Sequence, residues 1–404
     1  MDWRCPLGRG VVRGEVPMTD LAAGSQKNIA FVRTTPAAQA ARPPLPGGPL
    51  HWVRKNLFAT PLNGLLTIVV LGLIVWAVPP LLDFLVFDAV WSGSGRDACL
   101  ASPQNPDPGA CWAFVRTWFS FFIYGPYPLA ERWRVDVFFA LLVFGAAWLL
   151  WLDAPRRDLG FGFFFVALPI LSFVLLRGMP LLGLPVVDTA LWGGLLVTLV
   201  VASVGIVVSL PIGILLALGR RSTMPVVRLF SIGFIEIVRG VPLITVLFMA
   251  SVMLPLFVPP AWSPDKLIRA LVGIAIFASA YMAEVVRAGL SSIPKGQYEA
   301  ARALGLGYWR MLGLVVLPQA LRVTIPNIVN NTIALFKDTT LVFFVGIFDF
   351  LRTIEIARVD PNWATPVTST TGYAFAALFY FVACHFMSRY ATGIERRLAA
   401  GDRR

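Results

Sequence analysis

Residues 293–318 read IPKGQYEAARALGLGYWRMLGLVVLP. They form a polar, charged interruption between two hydrophobic stretches, 268–290 and 320–347, each long enough to cross a bilayer. Inside the interruption, residues 297–304 fit two helical turns. Ala300, Ala301 and Ala303 keep that short helix small enough for close approach by a partner. Gly305 and Gly307 end it, because glycine accepts the left-handed backbone that a helix C-terminus needs. Glu299 offers a negative charge to a basic surface. An ordinary amphipathic loop helix between two spans is the plainer reading of the same residues.

The rest of the chain agrees with a membrane setting. Its 404 residues are 57% hydrophobic and only 14% charged, whereas soluble domains carry roughly 25% charge. A spanning helix needs roughly 20 apolar residues. The stretches that qualify are 62–86, 135–152, 159–176, 191–219, 227–257, 268–290, 320–347 and 372–392. Two of them hold charges, Glu236 with Arg239 and Lys337 with Asp338, yet both are long enough to span. The predicted fold class is therefore an all-α polytopic membrane protein, with a transmembrane helix for each of these stretches.

The net charge of +12 would suit nucleic acid or anionic lipid if it were scattered. Instead Arg54-Lys55, Arg156-Arg157, Arg220-Arg221 with Arg228, Lys295 with Arg302 and Arg310, and Arg396-Arg397 fall in every second loop or tail. That alternation is the positive-inside pattern. It predicts a lipid-bilayer protein with no nucleic-acid partner, and places both termini and the 293–318 loop in the cytoplasm. Residues 1–55 are rich in Pro, Gly, Ala and Arg, and predict a largely disordered cytoplasmic tail. They lack the apolar core of a signal peptide, so the first span directs insertion. Met18 is an alternative start to Met1.

Four cysteines are present, Cys5, Cys99, Cys111 and Cys384. The topology puts Cys99 and Cys111 in one extracytoplasmic loop, 87–134, where disulfides are permitted. The intervening SPQNPDPG, 102–109, reads as a tight turn, so a Cys99–Cys111 bridge is expected, with two free thiols as the alternative. Cys384 lies in the last span and reads as packing. The two histidines, His51 and His385, form no metal-ligand spacing with cysteine. The same loop carries Trp112, Phe114, Trp118, Phe119, Phe121, Phe122, Tyr124, Tyr127 and Trp133. These aromatics fit a segment lying at the membrane interface or a buried loop core.

The chain divides near residue 188. The expected parts are the tail, 1–55; three N-terminal transmembrane helices, 56–187; a five-helix portion, 188–395; and a short cytoplasmic tail, 396–404. Several motifs occur in order in the five-helix portion: EIVRGVPL at 236–243, AYMAEVVRAG at 280–289 leading into IPKGQ at 293–297, PQALR at 318–322, Pro326-Asn327, and KDTTLV at 337–342. In the loop, Glu299-Ala300-Ala301 is followed after three residues by Gly305, and after nine more by Val315, with Leu317-Pro318 next but one.

That spacing resembles the E-A-A loop of the membrane subunits of ABC importers, with Val315 in place of isoleucine. The ordered motifs over 188–395, half the chain, resemble the five-helix permease domain of polar amino-acid uptake systems. The three extra N-terminal helices resemble the larger permease subunit of general L-amino-acid uptake systems. The resemblance implies a type I ABC importer transmembrane domain in the inner (cytoplasmic) membrane of a bacterium. It implies an ATPase-coupling loop at Glu299, Ala300, Ala301, Gly305, Leu317 and Pro318. It also implies partners: a second homologous permease subunit, two ATP-binding cassette subunits, and a periplasmic amino-acid-binding protein that delivers an L-amino acid. No phosphate-binding G-x-x-x-x-G-K-[ST] pattern occurs. No cofactor is expected on this chain, and ATP and Mg would sit on the partner subunits, so it is not expected to be an enzyme itself.

Intramembrane polar residues are the candidate binding groups, because they are costly in lipid. With a helix starting near Pro326, Asp338 would lie about 18 Å along it, near mid-bilayer. Its carboxylate suits an α-ammonium, and Thr339 and Thr340 suit the carboxylate of the same ligand. Lys337 and Asp338 bracing a subunit interface is the alternative. Asn327, Asn330 and Asn331 read as helix–helix hydrogen-bonding groups. Glu236 and Arg239, three apart, would neutralise each other beside the Gly240 and Pro242 break, lining the path or pairing structurally. Glu284 and Arg287 repeat that spacing near the cytoplasmic face, where they would orient the loop. A permease for another small polar solute is the nearest rival. An ion-driven secondary transporter is a more distant one, since 1–187 shows no repeat of 188–395.

Overall fold

The computed structural model describes residues 48–103, 105–151, 154–259 and 262–401. The chain falls into two compact units, Met1–Ile74 and Val75–Arg404, whose boundary lies within the first long helix.

In the first unit, a short helix α1, Pro49–Asn56, starts on proline and ends on Arg54 and Lys55. Proline suits the first helical position, and basic side chains suit the last turn. The sequence reading expected no regular structure there. Residues 1–47 of the expected disordered tail lie outside the described residues. The long helix α2, Pro61–Phe87, begins after Thr60, whose hydroxyl accepts from Asn63 N at 3.2 Å. Its later part, from Val75 on, belongs to the second unit, where Pro79 and Pro80 interrupt the ladder and the helix widens into a π turn over Asp83–Phe87.

In the second unit follow α3 (Trp112–Tyr124), α4 (Leu129–Leu150), α5 (Arg157–Arg177) and α6 (Gly194–Arg220). Then come α7 (Pro225–Gly240), α8 (Leu243–Phe257), α9 (Lys266–Ser292), α10 (Lys295–Ala303), α11 (Tyr308–Val345), α12 (Phe350–Ala357) and α13 (Pro366–Gly401). Among the described residues, 7 helices are long and apolar enough to span, or 8 if α7 and α8 count as one bent span. The stretch 227–257 is thus a broken pair, bent by 104°. Pro242 has no N–H to donate and holds Val241 in an extended conformation (φ −112°, ψ 136°), so the helix cannot pass.

Two of the three extra helices, α4 and α5, share a core with the five-helix portion, while α2 has no buried residue. Tyr127, Val135, Phe138 and Leu176 are buried in one cluster with Trp192, Leu196, Leu243, Ile274 and Leu335 of the five-helix portion. Tyr127 also donates to Leu176 O at 2.8 Å. The aromatic loop splits between its two expected fates. Phe114 and Phe122 are fully buried against Phe350, Ile354 and Trp363, while Phe119 and Trp133 remain about half exposed. Phe114 and Phe122 thus form a loop core, and Phe119 and Trp133 stay outside it.

Cys99 and Cys111 are joined, with Cα atoms 5.8 Å apart. Cys111 N donates to Thr371 Oγ1 at 2.8 Å, and Arg96 N donates to Asn362 O at 2.7 Å. Those two hydrogen bonds fasten the disulfide-closed loop to α13 and to the turn before it. Closing so short a loop stabilises by roughly 3 kcal/mol in the chain-entropy model. Replacing both cysteines with serine should lower thermal stability accordingly. Mass spectrometry of the native protein should find both residues oxidised, and two free thiols would contradict this.

Candidate functional site

The middle of α9 and the later part of α11 meet to form a cleft. Helix α9 contributes Phe277, Ala278 and Tyr281, and α11 contributes Asn331, Ala334, Leu335 and Asp338; the cleft is about 150 Å³. The residues at 331, 334, 335 and 338 recur at helical spacing, so one face of α11 presents all of them. The helices are held close by small residues. A Cβ on Gly289 would come within 2.5 Å of Thr324 Cγ2 and 2.7 Å of Ala320 O. Among the described residues, no ion pair or side-chain hydrogen bond occupies the Asp338 carboxylate.

The helix carrying Asp338 starts at Tyr308, well before Pro326, which lies inside it. The π turn at Leu312–Val316 and the polar run that follows are all helical. Distance from Pro326 therefore does not fix the depth of Asp338, which faces the middle of α9 across the cleft. Beyond Asp338 the backbone tightens into a 3-10 helix, Thr339–Val345. Thr339 is fully buried and donates to Phe336 O at 2.7 Å; Thr340 donates to Lys337 O at 2.9 Å. Their hydroxyl protons serve the backbone at the change of helix type, and neither residue lines the cleft. Lys337 is exposed and also off the cleft. Asn327, Asn330 and Asn331 make no helix–helix hydrogen bond among the described residues, and Asn331 faces the cleft instead. Past the 3-10 helix, Asp349 caps α12 by accepting from Leu351 N and Arg352 N. Burial pushes its carboxyl up to about 7, against the pull of those backbone donors and Arg352.

Glu236 and Arg239 do not pair with each other. Glu236 takes Arg220 at 2.9 Å, and Arg239 reaches Glu284 at 3.6 Å. The bend between α7 and α8 leaves that end of α7 facing α6 and α9, which supply the better partners. Glu284 is the hub: Arg220 lies 3.7 Å away, and Arg287 donates to it through Nε at 2.9 Å. Arg239 also stacks over the Tyr281 ring, 5.4 Å from its centroid, so the network abuts the cleft. Glu284→Gln would leave Arg239 and Arg287 without a carboxylate partner and Arg220 with Glu236 alone. The groups are a quarter to a third exposed, so the loss should be about 1–2 kcal/mol, below that for a buried pair. Thermal unfolding of the purified protein should show a lower midpoint; an unchanged midpoint would sink the hub.

The loop segment is a compact device at the ends of α9 and α11. Helix α10 closes with Leu306 N donating to Ala301 O at 3.1 Å and Gly305 N to Arg302 O at 2.9 Å. This is a Schellman ending, and it needs the left-handed Gly305 (φ 74°). Gly307 has negative φ and opens α11 instead. Ala301 is buried with Met282, Val286, Leu290, Met311 and Val316. Glu299, Ala300, Gly305 and Pro318 are exposed, Leu317 is half-buried, and Leu304 and Trp309 stand 80% and 73% exposed. One face of α10 is pinned to the core and the other is offered outward.

Comparison with known proteins gives this geometry a family. Residues 209–400 match the family described as binding-protein-dependent transport system inner membrane component. The inner membrane amino-acid ABC transporter permease protein YhdY of Escherichia coli is 51% identical over 350 residues, covering 87% of this chain and 93% of that protein. The chain belongs to the amino-acid ABC transporter permeases. The permease is also 40% identical to the glutamate/glutamine/aspartate/asparagine transport system permease protein BztC of Rhodobacter capsulatus, over 93% of this chain and 100% of that one. The glutamate/aspartate import permease protein GltK of Escherichia coli is 34% identical and covers only 51% of this chain. The long relatives share the extra N-terminal region, and the short one does not. The permease is a polytopic inner-membrane subunit of a transporter complex. Sequence reading missed Phe277 and Tyr281 as cleft residues, although their spacing of four already puts them on one helix face.

Proposed function

We propose that this permease is the larger membrane subunit of an ATP-driven importer of L-amino acids with polar, above all acidic or amide-bearing, side chains. The observation that carries the reading is the open Asp338 carboxylate in the cleft between α9 and α11, beside Asn331 and Tyr281. A lone carboxylate suits an α-ammonium, and an amide suits a carboxylate or a side-chain amide. Arg239, stacked behind Tyr281, biases that end of the cleft toward anionic groups. The substrates named for BztC and GltK have this chemistry. Thr339 and Thr340 support the cleft by shaping the backbone after Asp338, and exposed Lys337 suits a contact with a second, homologous permease subunit.

Helix α10, with Glu299, Ala300, Ala301 and Gly305, followed by Leu317 and Pro318, would dock on a separate ATPase subunit. Two ATPases carry ATP and Mg, and an extracytoplasmic binding protein delivers the amino acid. Residues 188–395 would form the importer domain, with 1–55 and 396–404 in the cytoplasm. The test joins topology and assembly. A single cysteine at position 105 should react only from outside intact membranes, and an ATPase chain should co-purify with the permease. Labelling only from the cytoplasm, or purification without an ATPase, would contradict the reading.

A further inference from the structure

We infer that the cytoplasmic cleft between α6, α9 and α10 is a binding site for the headgroup of an anionic phospholipid, phosphatidylglycerol in particular. The cleft has a volume of about 430 Å³ and shares no residue with the Asp338 cleft. Arg221, Lys295 and Arg302 line it, with Glu299, Tyr298 and Ser291. Three cations thus face one carboxylate. Arg221 is anchored, donating to Leu290 O at 2.9 Å and to the Tyr298 hydroxyl at 3.3 Å. Lys295 and Arg302 make no ion pair or side-chain hydrogen bond among the described residues.

The position argues for lipid. Arg221 caps the end of α6, and Leu290 and Ser291 belong to the last turn of α9. Both helices are long and apolar enough to span, and the cleft sits at the ends of both, on the side that the basic-loop pattern assigns to the cytoplasm. Basic recesses between span ends on that side attract anionic headgroups. A phosphate would take Arg221, Lys295 and Arg302. The lipid would then bridge α6 to α10, steadying the segment that Arg221 already holds through Tyr298. This inference stands whether or not the substrate is an amino acid.

The test uses the whole transporter, purified from membranes containing phosphatidylglycerol and examined by native mass spectrometry for retained lipid. Lys295→Gln with Arg302→Gln removes two cations at exposed positions, and gel filtration checks the fold. Arg221→Gln reads the same site from another helix. The wild type should retain phosphatidylglycerol, and each variant should retain at least about fivefold less, the worth of one cation near an anionic surface. Added inorganic phosphate separates the two sources of the same chemistry. Lipid that persists in millimolar phosphate supports the headgroup. A complex that binds inorganic phosphate but retains no phosphatidylglycerol overturns it. Equal lipid retention by wild type and variants also overturns it. So does a variant that keeps its lipid but loses the ATPase chain, which would give the cleft to an acidic protein surface.

Discussion

We expect Gly305→Asp to abolish amino-acid uptake while the chain still inserts and the assembled complex continues to hydrolyse ATP. Gly305 closes α10 with φ 74°. A Cβ there would meet nothing within 4 Å, so steric clash inside the chain is not the cause. A left-handed backbone costs an ordinary residue about 1–2 kcal/mol, and aspartate tolerates it better than most. The larger effect is outward. The new carboxylate would project from the face that α10 offers to its partner, next to exposed Leu304 and Ala300, and charge at a docking surface disrupts it. Gly305→Ala carries more of the backbone cost without the charge, so it should retain more transport than the aspartate variant. Uptake by Gly305→Asp at the wild-type rate would remove α10 from the coupling path.

Asp338→Asn should lower the apparent affinity for amino acid by about 10- to 100-fold per assembled complex, the worth of a charge-assisted hydrogen bond in a dehydrated site. Asparagine keeps the shape and loses the charge. Burying an ammonium without a counter-charge is expensive. If Asp338 braces a subunit interface instead, the variant should yield less complex, with normal affinity in whatever assembles. Asn331, seven residues earlier on the same face, gives an internal comparison. Asn331→Ala should weaken uptake less, because it removes a neutral partner.

Much of this architecture was legible in the sequence. Span length and apolar runs located α2, α5, α6 and α9 closely, because lipid demands satisfied backbone and so leaves few options. Helices α4, α11 and α13 begin earlier than their apolar runs, at Leu129, Tyr308 and Pro366. The break at Gly240 and Pro242 was visible in the chemistry of those two residues, although its 104° bend was not. The ending of α10 at Gly305 followed from the one residue type that accepts that backbone. Side-chain partners were less legible. Glu236 and Arg239 are neighbours on one helix, but Arg220 and Glu284 reach them from other helices. Local spacing cannot rank such pairs. The same limit hid Tyr281, whose place beside Asp338 depends on how α9 crosses α11. Thr339 and Thr340 read as ligand donors from composition, whereas a change of helix type consumes their protons. The loop aromatics could not be assigned to core or interface until Phe114 and Phe122 had Phe350 and Trp363 to pack against.

The most direct test is ATP-driven uptake of radiolabelled amino acids into proteoliposomes holding the permease, its partner permease and the ATPase subunits. The binding protein is supplied on the extracytoplasmic side. Accumulation of glutamate, aspartate, glutamine or asparagine is expected, and it should require ATP, require the binding protein and be lost with Gly305→Asp. Accumulation driven by an ion gradient without ATP, or no uptake of any amino acid by a fully assembled complex, would contradict the assignment.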